Sequence, residues 1–145
     1  MFKQKANGES LAEKADRKAA AVLDTIEGMS ALTELYLIHS GLESCYVTFL
    51  HEFGFTRTEI ALITGVSMKT IQRLEQSLNN LDVVEGERVI RFLKALGLQM
   101  RVHGTRLKTL KLLRTPLSGL GELTALQVMQ TDSGVRLLSS RLLKA

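Results

Sequence analysis

Side chains suited to contacting nucleic acid are concentrated in one short stretch of the chain, between Ser67 and Arg73. Lys69 and Arg73 carry the positive charge that binds phosphates, and the Gln72 amide has the donor and acceptor that pair with the edge of adenine. Helical spacing places these groups on the outward side of a helix, away from its apolar positions. The outward residues that we predict to contact DNA are Ser67, Met68, Lys69, Thr70, Gln72 and Arg73.

This stretch belongs to a predicted helix-turn-helix over residues 57–76. Ala61 supplies the small residue that the first helix needs where the second crosses it. Gly65 follows in the turn and can adopt the positive φ that a tight turn favours. The alternative is a helical hairpin in an ordinary core, whose polar face is only solvated. The apolar residues with the spacing to face a shared core are Ile60, Val66, Ile71 and Leu74.

Charge is divided unevenly along the chain of 145 residues, whose net charge is +4. Residues 1–54 have 5 basic and 8 acidic residues, a balance of −3. Residues 55–81 have 3 and 2, and residues 82–145 have 11 and 5, which gives +1 and +6. Because the predicted DNA-reading segment is nearly neutral and includes Glu75, we expect it to need a dimer that sums two half-sites.

A run of basic residues after residue 100 accounts for much of the positive C-terminal segment. The run has no acid within it. On charge alone, a solvated helix face is one explanation and a surface for an acidic partner is the other. The basic residues of the run are Arg101, Arg106, Lys108, Lys111 and Arg114.

The last predicted helix has more apolar positions than one buried stripe needs. Val135, Leu138 and Leu142 form the stripe, and two further leucines widen it. A fully internal core explains this pattern, and so does a protein–protein interface. The two widening residues are Leu137 and Leu143.

The elements that position these residues are predicted to be helices throughout. One proline in 145 residues is typical of an all-α protein. Capping boxes mark helix starts at Ser10, Thr56 and Asp82. We predict helices over residues 10–27, 30–40, 42–53, 56–64, 67–76, 105–114 and 133–143, a short one from 124, and one from 82 that Gly97 ends or weakens. Among the residues that apolar stripes predict to be buried are Leu11, Cys45 and Val84.

The chain has few residues that could serve as nucleophiles or metal ligands. Cys45 is the only cysteine, and the three histidines are scattered, with no second ligand at metal-binding spacing. We therefore predict no catalysis, no metal and no cofactor. No apolar run approaches the roughly 20 residues that span a bilayer, and the polar N-terminus lacks the apolar core of a signal peptide. We expect a cytoplasmic protein without membrane contact.

The C-terminal part of the sequence resembles a known family. Residues 102–106 (VHGTR), residues 110–116 (LKLLRTP), Leu120-Gly121 and residues 131–134 (TDSG) follow one another in order. Together they resemble the C-terminal domain of Xre/MbcA/ParS-type antitoxins. Upstream, residues 65–73 (GVSMKTIQR) are similar to the Xre-like helix-turn-helix of the same family. The resemblance covers about residues 32–145.

The resemblance implies an antitoxin of a two-gene toxin–antitoxin pair. It would dimerise, neutralise a RES-domain toxin that depletes NAD, and repress the shared promoter. On this interpretation residues 1–30 are a tail and accessory helix, 31–97 the DNA-binding region and 98–145 the toxin-binding domain. The residues that we expect to face the toxin are Leu137, Leu138, Arg141, Leu142, Leu143, Lys144 and Ala145.

Two other functions stay open at this point. One is a dimeric helix-turn-helix transcription regulator that has no toxin partner, in which residues 100–145 only dimerise or sense a signal. The other is a structural helical adaptor. An adaptor would not bind its own promoter, whereas an antitoxin and a transcription regulator would.

Overall fold

The computed structural model describes residues 9–76 and 80–144, apart from the side chains of residues 142–144. Every regular element in these two ranges is a helix, so the predicted all-α fold class is confirmed. The helices are α1 (Leu11–Glu27), α2 (Ala31–Ser40), α3 (Cys45–Phe53), α4 (Arg57–Thr64), α5 (Met68–Gln76), α6 (Val83–His103), α7 (Arg106–Leu113), α8 (Ala125–Val128) and α9 (Asp132–Lys144).

Capping boxes begin four of these helices. In the boxes that start α1, α4 and α6, at Ser10, Thr56 and Asp82, both reciprocal hydrogen bonds are made, as predicted. Thr124 and Gln127 form the same arrangement at the start of α8. Because each box satisfies backbone amides that the first turn leaves unpaired, the local sequence determines where these helices begin.

The long helix α6 is the centre of the fold, and α1, α2, α4, α7 and α9 all pack against it. Its inward residues, such as Leu93 and Leu96, are completely buried. Gly97 does not end the helix, which continues to His103. Gly97 is buried against Leu23 of α1 instead, where an added Cβ atom would make only an ordinary contact of 3.5 Å.

Three aromatic rings connect the start of α4 to the centre of the fold. Phe55, in the connection between α3 and α4, stacks on Phe53 with a centroid separation of 5.4 Å. Phe55 also meets the ring of Phe92 in α6 edge-on, at 5.5 Å. All three rings are buried, so they hold the chain that enters α4 in a fixed position.

Three residues that apolar stripes predicted to be buried are exposed: Leu11, Cys45 and Val84. Leu11 and Val84 lie in the first turns of α1 and α6, before burial begins in either helix. In α3 the buried stripe is formed by Val47, Leu50 and Phe53, which turns Cys45 outward. Helical periodicity predicted these helices, but it did not predict which of their apolar residues lie against the core.

The three predicted segments share one hydrophobic core. Ala19, Leu23 and Ile26 of α1 and Leu138 of α9 belong to the same cluster of buried residues. The boundary that we placed between residues 97 and 98 falls within α6. The division at residues 30 and 97 therefore remains a prediction about functional roles, because the helices of the three segments pack together in one core.

Candidate functional site

The two helices that we predicted over residues 57–76 are present as α4 and α5, joined by residues 65–67. Gly65 has a left-handed conformation with φ of 80°, and its amide donates to the Ala61 carbonyl at 2.8 Å. The Ser67 hydroxyl then accepts the Thr70 amide at 3.1 Å and begins α5. The turn is thus built by the glycine and the cap that the sequence indicated.

The inward side of this α4–α5 unit joins the main core. Ile60, Val66, Ile71 and Leu74 are all buried, as the apolar spacing predicted. Ala61 is half-buried against the same cluster. Since both helices are packed into one core, the outer side of α5 has a fixed orientation relative to α4.

Five of the six residues predicted to contact DNA are exposed, namely Ser67 just before α5 and Met68, Lys69, Gln72 and Arg73 within it. The Ser67 hydroxyl also donates to Thr70 Oγ1 at 3.0 Å. Thr70 is half-buried rather than outward, which corrects its assignment. Ser67 and Thr70 shape the start of α5, and Ser67 stays exposed with the other four residues.

The acid of α5 is paired within the α4–α5 unit. Glu75 accepts two hydrogen bonds from the guanidinium of Arg57, at 2.9 Å and 3.4 Å. Glu75 therefore has a counter-charge on α4 and is less able to repel a phosphate than the sequence alone suggests. The pair also joins the start of α4 to the last turn of α5.

The basic run after residue 100 is largely used inside the molecule. Arg101 binds both carboxylate oxygens of Glu27, at 2.6 Å and 2.5 Å. Arg106 binds Asp16 at 2.8 Å, and Arg114 binds Glu59 at the same distance. Three of the five basic residues thus pair with acids of the N-terminal half, an explanation that we did not consider from the sequence. Ion pairs within the fold therefore compensate part of the uneven distribution of charge along the chain.

Arg88 of α6 contacts the C-terminal end of α4, and sequence analysis did not single it out. Its guanidinium donates to the carbonyls of Leu62 and Ile63, at 3.0 Å and 3.3 Å. It also lies 3.5 Å from the side-chain oxygen of Gln130, which follows α8. A Cβ atom at Gly65 would come within 3.0 Å of Arg88 Nε. Arg88 therefore connects the turn of the α4–α5 unit to the C-terminal segment.

The predicted toxin-facing residues of α9 separate into different environments. Leu138 is only 6% exposed and packs in the core, so it is withdrawn as a contact residue. Leu137 and Arg141 are exposed. The side chains of Leu142, Leu143 and Lys144, and all of Ala145, lie outside the described residues.

The contacts at the start of α9 explain the threonine and the glycine of the TDSG motif at residues 131–134. The Gly134 amide donates to Thr131 Oγ1 at 2.9 Å. A Cβ atom at Gly134 would lie only 1.8 Å from the Val128 carbonyl oxygen, a distance that no real contact allows. Glycine is therefore required here because α8 and α9 meet backbone to backbone.

A second exposed surface, the α7 face, consists of Leu107, Lys108, Lys111 and Leu112. Leu107 is 73% exposed and Leu112 is 45% exposed. The two lysines are the members of the basic run for which the described residues supply no ion pair. This mixture of leucine and lysine suits a partner with acidic and apolar groups.

The carboxylates that line one cleft in the described part of the chain are paired with basic side chains. An open cleft of about 700 Å³ is lined by Glu27, Glu34, Glu87 and Asp132. Each has a basic partner: Arg101, Lys94, Arg91 and Arg136 respectively. Partial burial, followed by the charge of Glu43, raises the pKa of the Cys45 thiol, which opposes nucleophilic activation. Within residues 9–76 and 80–144, no three His, Cys, Asp or Glu residues are grouped to hold a metal.

Comparison with known proteins adds no family. No protein-family model matches the chain, and no curated protein matches its sequence significantly. The resemblance to Xre/MbcA/ParS-type antitoxins therefore depends on the quoted residues and their order. Of the helices in the described part of the chain, none is long and apolar enough to cross a membrane.

Proposed function

We propose that this protein is a cytoplasmic antitoxin that neutralises a RES-domain toxin and represses its own promoter through the α4–α5 unit. The observation that carries the proposal is the exposed face of α5, where Lys69, Gln72 and Arg73 project from a unit fixed in the core. Such a face can bind phosphates and read base edges in the major groove. The motif order that resembles the antitoxin family supports the toxin-binding part.

In this proposal the protein acts by binding its partners and catalyses no reaction. The ion pairing of the cleft carboxylates and the raised pKa of Cys45 support this part of the proposal. The predicted toxin-facing surface is reduced to Leu137 and Arg141 among the described side chains. Turnover of NAD by the purified protein alone would contradict the proposal.

Co-expression with the product of the adjacent gene tests the proposal. We expect that product to stop growth when expressed alone and to be harmless when this protein is present. The two proteins should also co-purify. An adjacent product that is not toxic, or that does not bind this protein, would remove the antitoxin function.

A dimeric transcription regulator without a toxin is the second candidate. It is favoured by the internal pairing of Arg101, Arg106 and Arg114, which leaves less free charge for an acidic partner. Both candidates predict binding to promoter DNA, so only the response to the adjacent gene product separates them.

A further inference from the structure

The exposed side of α5 presents two parallel rows of side chains. Residues that are four positions apart lie above one another on a helix. Met68 and Gln72 therefore form one row, which we call the uncharged row, and Lys69 and Arg73 form the other, the charged row. Members of both rows are exposed. Because consecutive residues are about 100° apart around the helix axis, the two rows face different directions.

The uncharged row lies on the side of α5 that faces α4. Thr58 Oγ1, in the first turn of α4, donates to Met68 Sδ at 3.5 Å. Glu75, which follows Gln72 by one turn, is paired with Arg57 at the start of the same helix. Contact with α4 therefore positions the Met68 thioether, although 42% of the residue stays exposed.

The charged row lies on the side of α5 that is turned away from α4. There Arg73 lines an open groove together with Asn80 and Asp82, which precede α6. The two rows thus differ in their neighbours as well as in their chemistry. One row is neutral and borders α4, and the other is basic and borders the start of α6.

A helix in the major groove of DNA cannot turn both rows to the bases. The groove is about 12 Å wide, which one helix with its side chains fills. When one row lies on the base edges, a row about 100° away faces the phosphates of one strand. Lys69 and Arg73 gain most beside phosphates, whereas Met68 has no group that binds a phosphate. The uncharged row is therefore the one suited to the base edges.

Each member of the uncharged row matches the major-groove edge of one base. Thymine alone presents a methyl group there, and apolar side chains contact it. The flexible thioether chain of Met68 can adapt to such a small apolar group. The Gln72 amide pairs with N6 and N7 of adenine. The two residues are separated by about 6 Å along the helix, close to two base-pair steps of about 3.4 Å.

We propose that the uncharged row reads two A·T pairs in each half-site. Met68 contacts the methyl group of a thymine, and Gln72 pairs with an adenine about two base pairs away. This inference rests on the proposed function, because it requires α5 to bind promoter DNA. It goes further by assigning the bases that are read and by making Met68 a determinant of specificity. The charged row supplies affinity that does not depend on base sequence.

Modified bases in the protein's own promoter test the role of Met68. After footprinting locates the bound site, each thymine in it is replaced in turn by deoxyuridine, which lacks only the methyl group. One such change should weaken wild-type binding about 4-fold, as for the loss of one buried methyl contact. Met68→Ala should be insensitive to the same change, and Met68→Leu should keep the sensitivity because leucine is apolar and similar in volume. Lys69→Ala is the matched control and should weaken binding to both forms of the DNA equally.

The role of Gln72 is tested in the same site with 7-deaza-adenine, in which a C–H group replaces the N7 acceptor. At the adenine that Gln72 reads, this change should weaken wild-type binding about 5-fold, since one hydrogen bond is lost. Gln72→Ala should show no such loss. The sensitive adenine should lie about two base pairs from the sensitive thymine.

The outcomes separate this inference from the proposed function. Deoxyuridine changes that never weaken wild-type binding, or that weaken Met68→Ala as much as wild type, would overturn the role of Met68 while promoter binding stands. The same results with 7-deaza-adenine and Gln72→Ala would overturn the role of Gln72. Sensitive bases more than about four base pairs apart would overturn the shared row. A wild type that binds no promoter DNA would instead refute the proposed repressor, and this inference with it.

Discussion

Arg114 and Glu59 form a two-point ion pair that joins the C-terminal segment to the α4–α5 unit. Arg114 Nε lies 2.8 Å from one carboxylate oxygen, and Nη2 lies 2.8 Å from the other. Glu59 Oε1 also accepts the Thr56 amide, also at 2.8 Å, so the same carboxylate completes the cap of α4. Arg114 Nη2 donates to the Gly54 carbonyl as well, at 2.9 Å. The end of α7 thereby fixes the start of the first helix of the proposed DNA-binding unit.

A double-mutant cycle on this pair should give a coupling free energy of about 1 kcal/mol, as for a well-ordered two-point pair that is partly exposed. The variants are Arg114→Ala, Glu59→Gln and the double change, measured by urea unfolding. Lys111→Ala, at an exposed lysine of the same helix, is the control and should leave stability nearly unchanged. If the unfolding free energies lost in the two single variants add up to the loss in the double variant, the pair contributes no coupling. The interpretation that Arg114 stabilises the start of α4 through Glu59 would then be wrong.

The pH dependence of stability should also report on Glu59. Partial burial is the largest single influence on its pKa and raises it, but the hydrogen bonds from Arg114 and Thr56, together with the charge of Arg114, outweigh burial and lower the pKa below its ordinary 4.5. A carboxyl group with a lowered folded pKa stabilises the fold above its unfolded pKa and loses that contribution as pH falls through the folded value. Wild type should therefore lose more unfolding free energy than Glu59→Gln as pH decreases below 4.5. Parallel curves for the two proteins would refute this.

Gly134→Ala should be strongly destabilising, by about 3 kcal/mol or more, because α8 and α9 must separate to admit a methyl group. Gly28→Ala is the control, since its Cβ would meet only ordinary contacts, the nearest at 3.4 Å, and its φ is −79°. Thermal unfolding followed by circular dichroism compares the two. An equal midpoint for both variants would mean that the α8–α9 junction can relax.

Promoter binding should depend on the basic residues of α5. Replacing Lys69 and Arg73 by alanine is expected to weaken binding and to reduce the slope of log K against log salt by about 1.8, since two phosphate contacts are lost. Fluorescence anisotropy over a salt series measures both quantities. The double change of Lys108 and Lys111 to alanine removes the same charge from the α7 face and should leave the slope unaltered. Equal effects of the two double changes would indicate general electrostatic attraction instead of reading by α5.

Substitutions in α9 should distinguish surface from core. Leu138→Ala is expected to cost about 2–4 kcal/mol of stability, because it leaves a cavity. Leu137→Asp with Arg141→Glu should leave folding intact while abolishing neutralisation of the adjacent gene product. Removing residues 137–145 would not separate the two effects, since the deletion takes Leu138 from the core. Equal stability losses in both variants would contradict the assignment of these positions.

Much of the fold could be predicted from local signals in the sequence. Capping boxes at Ser10, Thr56 and Asp82 set helix starts, and Gly65 with Ser67 set the turn between α4 and α5. These features depend on hydrogen bonds between residues three or four positions apart. A single sequence contains all the information that such bonds require.

The relationships that join the segments could not be predicted in the same way. Arg106 and Asp16 are separated by 90 residues, and Arg101 and Glu27 by 74. Sequence spacing gives no sign of which acid a given arginine reaches, so the sequence alone leaves a solvated face and a partner surface as the explanations of the basic run. Leu138 shows the same limit, because periodicity defines a stripe but not whether a neighbour inside the chain already covers it.

The NAD content of cells that express the adjacent gene product tests the central claim most directly. With wild-type protein present, we predict that NAD stays at the level of uninduced cells. With the Leu137→Asp, Arg141→Glu variant, we predict that it falls as it does without any antitoxin. NAD that is never depleted by the adjacent product, or that is depleted equally with and without the wild-type protein, would contradict the account.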